Sequence, residues 1–227
     1  MPYADALALQ RNAARARLAG DLADDLLMLV EHPPVITLGR STKEGNLRAT
    51  TDLLAARGVE LYDVERGGDV TFHGPGQLVG YPIMNLERHT QDLHWYLRQL
   101  EEVMIRALAA FHLVASRNPG KTGVWVGNRK IASIGVHARQ WVTWHGFALN
   151  VTTDLSYFDL MVPCGIPDVV MTSVESELLD AAEGPCLAPS PSLFDDVRSR
   201  TVDAFATLFD LTPHSIDPAA LAVATSP

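Results

Sequence analysis

The chain has 227 residues, 47% of them hydrophobic and 20% charged, with a formal net charge of −9. That length suits one domain with a sizeable core, and no composition break divides 1–227. The acidic balance argues against a nucleic-acid partner, which calls for a basic face. Two cysteines cannot build a disulfide framework, and with no secretory signal a reducing cytoplasm is expected.

Residues 4–18 have helical spacing and Gly20 ends them. The segment carries arginines but no continuous apolar stretch, so it reads as an amphipathic helix. "LLMLVE" predicts a buried strand, broken by His32-Pro33-Pro34, and "VITLGR" a second; the turn between them predicts paired strands in a sheet. The run "LLMLV" is far too short to span a bilayer, so no membrane association is expected. "TDLLAARG" predicts a short helix with Thr51 or Asp52 near its N-cap and Gly58 at its end, and "VELYDVE" a strand. From Arg66 to Pro82, "RGGDVTFHGPGQLVGYP" holds five glycines and two prolines. That content predicts a long, shaped loop leading into the strand "LVGYPIM". Such loops are usually functional or disordered, and Val70, Phe72, Leu78 and Val79 favour order.

Between Asp92 and Leu113 an apolar stripe runs through Leu93, Tyr96, Leu97, Leu100, Val103, Met104, Ala107, Leu108 and Phe111. Its steps of three and four predict an amphipathic helix. "TGVWVGNRKIASIGVHAR" predicts a hairpin turning at Gly127-Asn128-Arg129. "WVTWHGFALNV" is a further strand in which Gly146 marks a bulge or a close backbone approach. A Pro/Ser-rich connector falls within 180–192. The helix "SLFDDVRSRTVDAFATLFD" comes next, with Ser192 as its cap, and residues 222–227 form a frayed tail.

The stretch "MVPCGIPD" sets Cys164 among Pro163, Gly165 and Pro167. A core thiol sits in an apolar helix or strand; Pro and Gly mark this one as a turn. A free thiol has a pKa of about 8.5, so a reactive one needs a cationic or hydrogen-bonding neighbour. The candidates are His73 in "FHGPG", His145 in "WHGFA" and Lys130 at the head of "KIASIGV". Strand alternation puts Lys130 on one face with Ala132 and Ile134. Read alone, Lys130 is equally a solvated lysine at a hairpin end, and each histidine a loop side chain bonded to backbone. His73, His145 and Cys164 make a weak zinc set without a local C-x-x-C or H-x-x-x-H pair, and no metal is expected. "RGGDVTFHGPGQ" fits neither a P-loop nor a dinucleotide fingerprint; it suits a wall around an elongated ligand.

Taken together, "EHPPVITLGR", "RGGDVTFHGPGQLVGYPI", "GVWVGNRKIASIGV", "VTWHGFALNV" and "VPCGI" closely resemble the lipoyl(octanoyl) transferases, in the family's order and over about residues 25–175. The resemblance implies an α+β fold, a mixed β-sheet flanked by helices, similar to the lipoate and biotin protein ligase catalytic domain. It implies transfer of an octanoyl group from octanoyl-acyl carrier protein to a lysine of apo lipoyl domains, those of 2-oxoacid dehydrogenases and the glycine cleavage H protein. Cys164 then corresponds to the acyl-thioester nucleophile and Lys130 to the lysine that lowers its pKa. Arg66, Gly67, Gly68 and Asp69, with Val70, Thr71, Phe72 and His73, correspond to one substrate-binding segment. Ser133, Ile134 and Gly135 correspond to a second, and Gly146, Phe147 and Ala148 to a third; His145 is a supporting candidate. Thr172 and Ser173 lie just after the nucleophile.

A thiolate suits the chemistry, because it attacks a thioester and is itself a good leaving group. Backbone N–H groups of the Pro-Cys-Gly-Ile loop or of Gly135 are oxyanion candidates, and small residues at 135, 146 and 148 leave room for the acyl chain. No cofactor and no ATP are expected. Arg40, Lys43, Arg48 and Arg139 are candidates for a basic patch facing an acidic carrier. The rival readings are an ATP-dependent lipoate or biotin protein ligase on the same fold, and a non-catalytic acyl- or metal-binding module.

Overall fold

The computed structural model describes residues 1–181 and 190–217; the expected tail, Cys186 and most of the connector lie outside the described residues. In chain order the elements are α1 (Tyr3–Ala19), β1 (Leu26–Val30), β2 (Val35–Leu38), α2 (Thr51–Ala56), β3 (Glu60–Asp63), β4 (Thr71–His73) and β5 (Gln77–Ile83). Then come α3 (Leu93–Ala109), β6 (Ala115–Asn118), β7 (Lys121–Val126), β8 (Arg129–Arg139), β9 (Val142–Asn150), β10 (Val170–Met171), α4 (Val174–Ala181) and α5 (Leu193–Phe209).

The mixed sheet is two sheets. The larger runs β1-β5-β9-β8-β7-β6, antiparallel throughout, with β10 added parallel to the head of β8. The smaller runs β3-β2-β4, with β2–β3 parallel and β2–β4 antiparallel. The expected pairing of β1 with β2 does not form: the chain crosses from one sheet to the other at His32-Pro33-Pro34. Two prolines supply no N–H for a hairpin ladder there. The expected long loop at 66–82 is shorter than its glycine content suggested, since it contains β4 and the start of β5. Every residue of both strands is buried, so their backbone groups need the partners that a sheet gives.

Helix α3 follows its stripe: Tyr96, Leu100, Val103, Met104, Ala107 and Leu108 are buried against β-sheet residues such as Leu78, Ile131, Ala132 and Leu149, with α5 alongside. Asp92 caps it by accepting from the N–H groups of His94 and Trp95, which offsets orphan donors of the first turn. Leu93 heads the stripe but stays 39% exposed. On the other face of the sheet, α1 packs its alanines over Met28, Val79, Tyr81 and Ala148. The smaller sheet has its own core of Ile36, Leu54, Val70, Phe72, Phe158 and Met161. The cap of α2 is Thr50, one residue before the expected position. Ser192 precedes α5 as expected, but its hydroxyl donates to Asp196 rather than accepting from the helix backbone.

A β-bulge interrupts the alternation of β8. Val126 pairs with Arg129 and Trp125 with Lys130, but Val124 pairs with Ala132, leaving Ile131 as the extra residue. Ile131 and Ala132 therefore both enter the core beneath α3, while Lys130 and Ser133 both turn toward Cys164. The simple alternation that grouped Lys130 with Ala132 and Ile134 fails at this bulge. Among the described residues no helix is long and apolar enough to cross a membrane.

Candidate active site

Cys164 sits in a single turn, Pro163–Gly165, at φ 56° and ψ 19°. A non-glycine residue in this left-handed region costs on the order of 1 kcal/mol or more, so the surroundings must hold it. They do so through backbone: Cys164 N–H donates to Val70 O at 2.9 Å, Gly165 N–H to Val162 O at 3.0 Å and Ile166 N–H to Pro163 O at 3.1 Å. The Asp69 carboxylate lies where a side chain at Gly165 would go, and its Oδ2 accepts from Asn46 at 2.6 Å. The loop amides expected to bind an oxyanion are thus already engaged in building the turn.

Lys130 Nζ donates to Cys164 Sγ at 3.1 Å, and Ser133 Oγ lies 3.4 Å from the same sulfur. Lys130 is 1% exposed, so it is a buried side chain rather than a solvated hairpin lysine. Burial alone pushes the Cys164 thiol up. The Lys130 ammonium, the hydrogen bonds from Ser133 and Lys130, and the Arg66 cation together outweigh that and hold it below the ordinary thiol value.

The sulfur opens into a cavity of about 430 Å³. Of the residues named from sequence, Arg66, Gly67, Gly68, Asp69, Thr71 and His73 line one side. Lys130, Ser133, Ile134, Gly135, His145, Gly146, Phe147 and Ala148 line the other. Val70 and Phe72 do not: strand alternation turns both into the core of the smaller sheet, where Phe72 stacks on Tyr157 at 4.6 Å. Arg66 is committed to the fold, donating to Thr37 Oγ1 and to the Thr37 carbonyl. Tyr3, Tyr81, Leu93 and Leu97 also line the cavity and were missed. Leu93 and Leu97 counted as core only because the stripe does not say where the core ends.

The glycines expected to make room do something else as well. A Cβ at Gly146 would overlap the Gly80 carbonyl oxygen and come within 2.6 Å of Pro82 Cδ. One at Gly135 would lie 2.7 Å from Gly67 O. Both let backbones approach, and Gly146→Val is expected to destabilise by about 1–3 kcal/mol. Its melting temperature and turnover should fall together; a normal melt with transfer lost would instead show a side chain blocking the cavity.

Thr172 and Ser173 prove structural in placement. Thr172 Oγ1 donates to Glu177 at 2.6 Å and Ser173 Oγ accepts from Ser176 N–H at 3.1 Å, opening α4.

His73 and His145 belong to a buried polar group at the α1 side of the cavity rather than to the sulfur. His73 Nδ1 lies 2.8 Å from Gln77 Oε1, and His32 Nε2 lies 2.8 Å from the Tyr81 hydroxyl. The Tyr3 ring packs on both imidazoles, with centroids 6.2 Å from His73 and 5.3 Å from His32. His145 Nε2 lies 3.8 Å from Glu65 Oε1. Among the described residues no group of three or more His, Cys, Asp or Glu could hold a metal ion.

Burial pushes His73 down to about 3 and His32 down to about 4. Both stay neutral in the fold while the unfolded chain takes up protons below about pH 6.5. Stability should therefore fall as pH drops from about 6.5 to about 4, by about 1.4 kcal/mol per pH unit for each histidine. Urea midpoints across that span test this, and His32→Gln should flatten the slope; an unaltered slope would contradict it.

The family model of the lipoyl protein ligase A/B catalytic domain matches residues 2–205, which sets the class. Among solved structures, a lipoate-protein ligase A bound with ATP superposes at TM-score 0.71 and 17% identity, covering 98% of this chain and 90% of that one. A bipartite lipoate protein ligase from Thermoplasma acidophilum gives 0.66 and 17%, covering 95% and 86%. These likenesses establish the fold. In sequence, an octanoyltransferase of Solibacter usitatus is 50% identical over 92% of this chain and 89% of its own length. That of Nostoc sp. is 46% identical over 93% and 89%, and that of Rubrobacter xylanophilus 54% over 78% and 80%. The chain belongs to the octanoyltransferase family and is a transferase; the ligases are structural relatives.

Proposed function

We propose that this octanoyltransferase moves the acyl group from octanoyl-acyl carrier protein to a lysine of apo lipoyl domains through a Cys164 thioester. The observation that carries this reading is the Lys130 Nζ to Cys164 Sγ distance of 3.1 Å at the wall of an acyl-sized cavity. In the first half-reaction the Cys164 thiolate attacks the donor carbonyl, the new C–S bond forms and the carrier's C–S bond breaks. The departing carrier thiolate takes a proton from the Lys130 ammonium. In the second half-reaction the acceptor's amine attacks the acyl-enzyme, its proton passes to Lys130, and Cys164 leaves as the thiolate. The dyad is thereby restored. Binding by Arg66, Gly67, Gly68, Asp69, Thr71 and His73 on one wall and Ser133, Ile134, Gly135, Gly146, Phe147 and Ala148 on the other is part of the same proposal, as is a single catalytic domain. Val70 and Phe72 support that wall from behind.

Both partners are macromolecules, so the cavity mouth must meet a protein. The Thermoplasma acidophilum ligase was solved as part of a system with its E2 lipoyl domain, which supports a lipoyl domain as acceptor here. Arg40, Lys43, Arg48 and Arg139 are exposed, and among the described residues none of them forms an ion pair. The loop that carries the first three frames the nucleophile turn, with Arg40 N–H on Arg66 O at 3.0 Å and Val162 N–H on Asn46 O at 2.7 Å. This patch suits an acidic carrier protein. Cytoplasmic location follows the same reading.

The test is intact mass spectrometry. Incubation with octanoyl-carrier protein should add one octanoyl group, and apo lipoyl domain should then remove it without ATP. Transfer that requires ATP, or an enzyme that never gains the mass, would overturn the reading.

A further inference from the structure

A buried lysine needs something to aim it. Among the described residues no carboxylate pairs with Lys130, so its stem must be steered by shape. The shape is supplied by Gly123 on β7. A Cβ built there would lie 2.7 Å from Lys130 Cε and 2.6 Å from the Ala132 carbonyl, and 3.4 Å from Lys130 Nζ. The lysine stem thus runs through the space that any side chain at position 123 would fill. Gly123 has φ 129°, a backbone conformation that other residues rarely adopt. The β8 bulge lies directly opposite, between the pairs Val124–Ala132 and Trp125–Lys130. On the flank, the Trp125 ring centroid is 5.8 Å from Nζ.

The unusual backbone at Gly123 is held from α3. Gly123 N–H donates to Glu101 Oε1 at 3.1 Å. Glu101 is 0% exposed, and its other oxygen accepts from Arg98 at 2.6 Å and Arg117 at 3.0 Å. A buried carboxylate with its cations is seldom the most stabilising choice for a core position, where apolar residues do as well. Here it fixes one backbone amide of the strand that faces Lys130.

We propose that Gly123 and Glu101 are positioning residues: Glu101 holds Gly123 in place, and the gap at Gly123 places the Lys130 ammonium on Cys164. They act through Lys130, so their loss should alter the thiol's titration and not merely the amount of folded protein. The charged groups facing the sulfur are Lys130 from β8 and Arg66 from the loop before β4. Asp69 lies behind Gly165, and Lys121 also lines the cavity, its Nζ 5.2 Å from the Trp125 ring centroid.

The experiment is the rate of iodoacetamide alkylation at Cys164 against pH, in full-length protein, with adducts mapped by peptide mass. Gly123→Ala should move the midpoint upward by about one pH unit, in the direction of Lys130→Met. The double variant Gly123→Ala/Lys130→Met should match Lys130→Met alone, because the first change has nothing left to displace. If Gly123→Ala does not fold by thermal melting, Glu101→Gln weakens the same hold and should shift the midpoint upward by less. A folded variant of either kind with the wild-type profile would overturn the proposal, as would additive shifts in the double variant. The inference rests on the Cys164–Lys130 reading, and the arms separate the two. An unshifted Lys130→Met profile removes the dyad itself, whereas a shifted Lys130→Met beside an unshifted Gly123→Ala removes only the positioning role.

Discussion

Replacing Cys164 with alanine is expected to abolish both the covalent octanoyl adduct and transfer, by on the order of 10⁴-fold or more in turnover. The wild-type adduct should be labile to hydroxylamine, as a thioester is, and Cys186→Ala should keep adduct and activity. Cys164 is a depressed thiol within reach of a cation at the wall of the cavity, the environment that makes a cysteine nucleophilic. Removing the sulfur leaves the cavity and its apolar walls intact, so donor binding should survive. At about 0.8 kcal/mol per buried CH₂, seven carbons could contribute roughly 6 kcal/mol, and that share does not depend on Cys164. The variant should thus bind octanoyl-carrier protein while failing to react with it. An adduct found on Cys186, or full turnover in Cys164→Ala, would remove the mechanism.

Whether a feature is legible in the sequence depends on which interaction sets it. Helix α3 was readable because its stripe is a local pattern that tertiary packing only confirms; Glu101 was not singled out within it. Yet it lies four residues after Leu97 and three before Met104, on the stripe itself, and an acidic residue there is the signal that could have found it. The resemblance pairs Cys164 with Lys130, but residue spacing alone does not make them neighbours. They are 34 residues apart, and what joins them is a bulge at Ile131 together with the parallel pairing of β10 to the head of β8. Strand alternation cannot foresee an inserted residue. The crossing of the chain between two sheets at His32-Pro33-Pro34 was hidden for a related reason: prolines announce a break but not its destination. Helix α4 was missed because its eight residues run into the Pro/Ser-rich connector, which outweighs so short a periodicity.

Lys130 carries the second large effect. The ammonium beside Cys164 favours the thiolate, so the midpoint of the thiol depends on Lys130. Alkylation by iodoacetamide follows the thiolate, so its rate rises with pH through the midpoint, and the cations beside Cys164 hold that midpoint below the ordinary thiol value. In Lys130→Met the strongest opposing cation is gone while burial still disfavours the charge. The midpoint should move to higher pH, and alkylation near neutrality should slow. Transfer should fall by on the order of 10²–10⁴-fold, the range of a lost general acid–base group. Lys130→Arg separates the two duties. Guanidinium keeps the charge but does not give up a proton near neutrality. It should therefore preserve part of the thiol's reactivity and of the first half-reaction, while still losing most transfer to the acceptor lysine. Single-turnover acylation and deacylation, measured beside the alkylation profile, resolve these steps. A Met variant whose profile matches wild type would uncouple Lys130 from Cys164. An Arg variant with full transfer would show that the charge alone is needed and that the proton travels by another route.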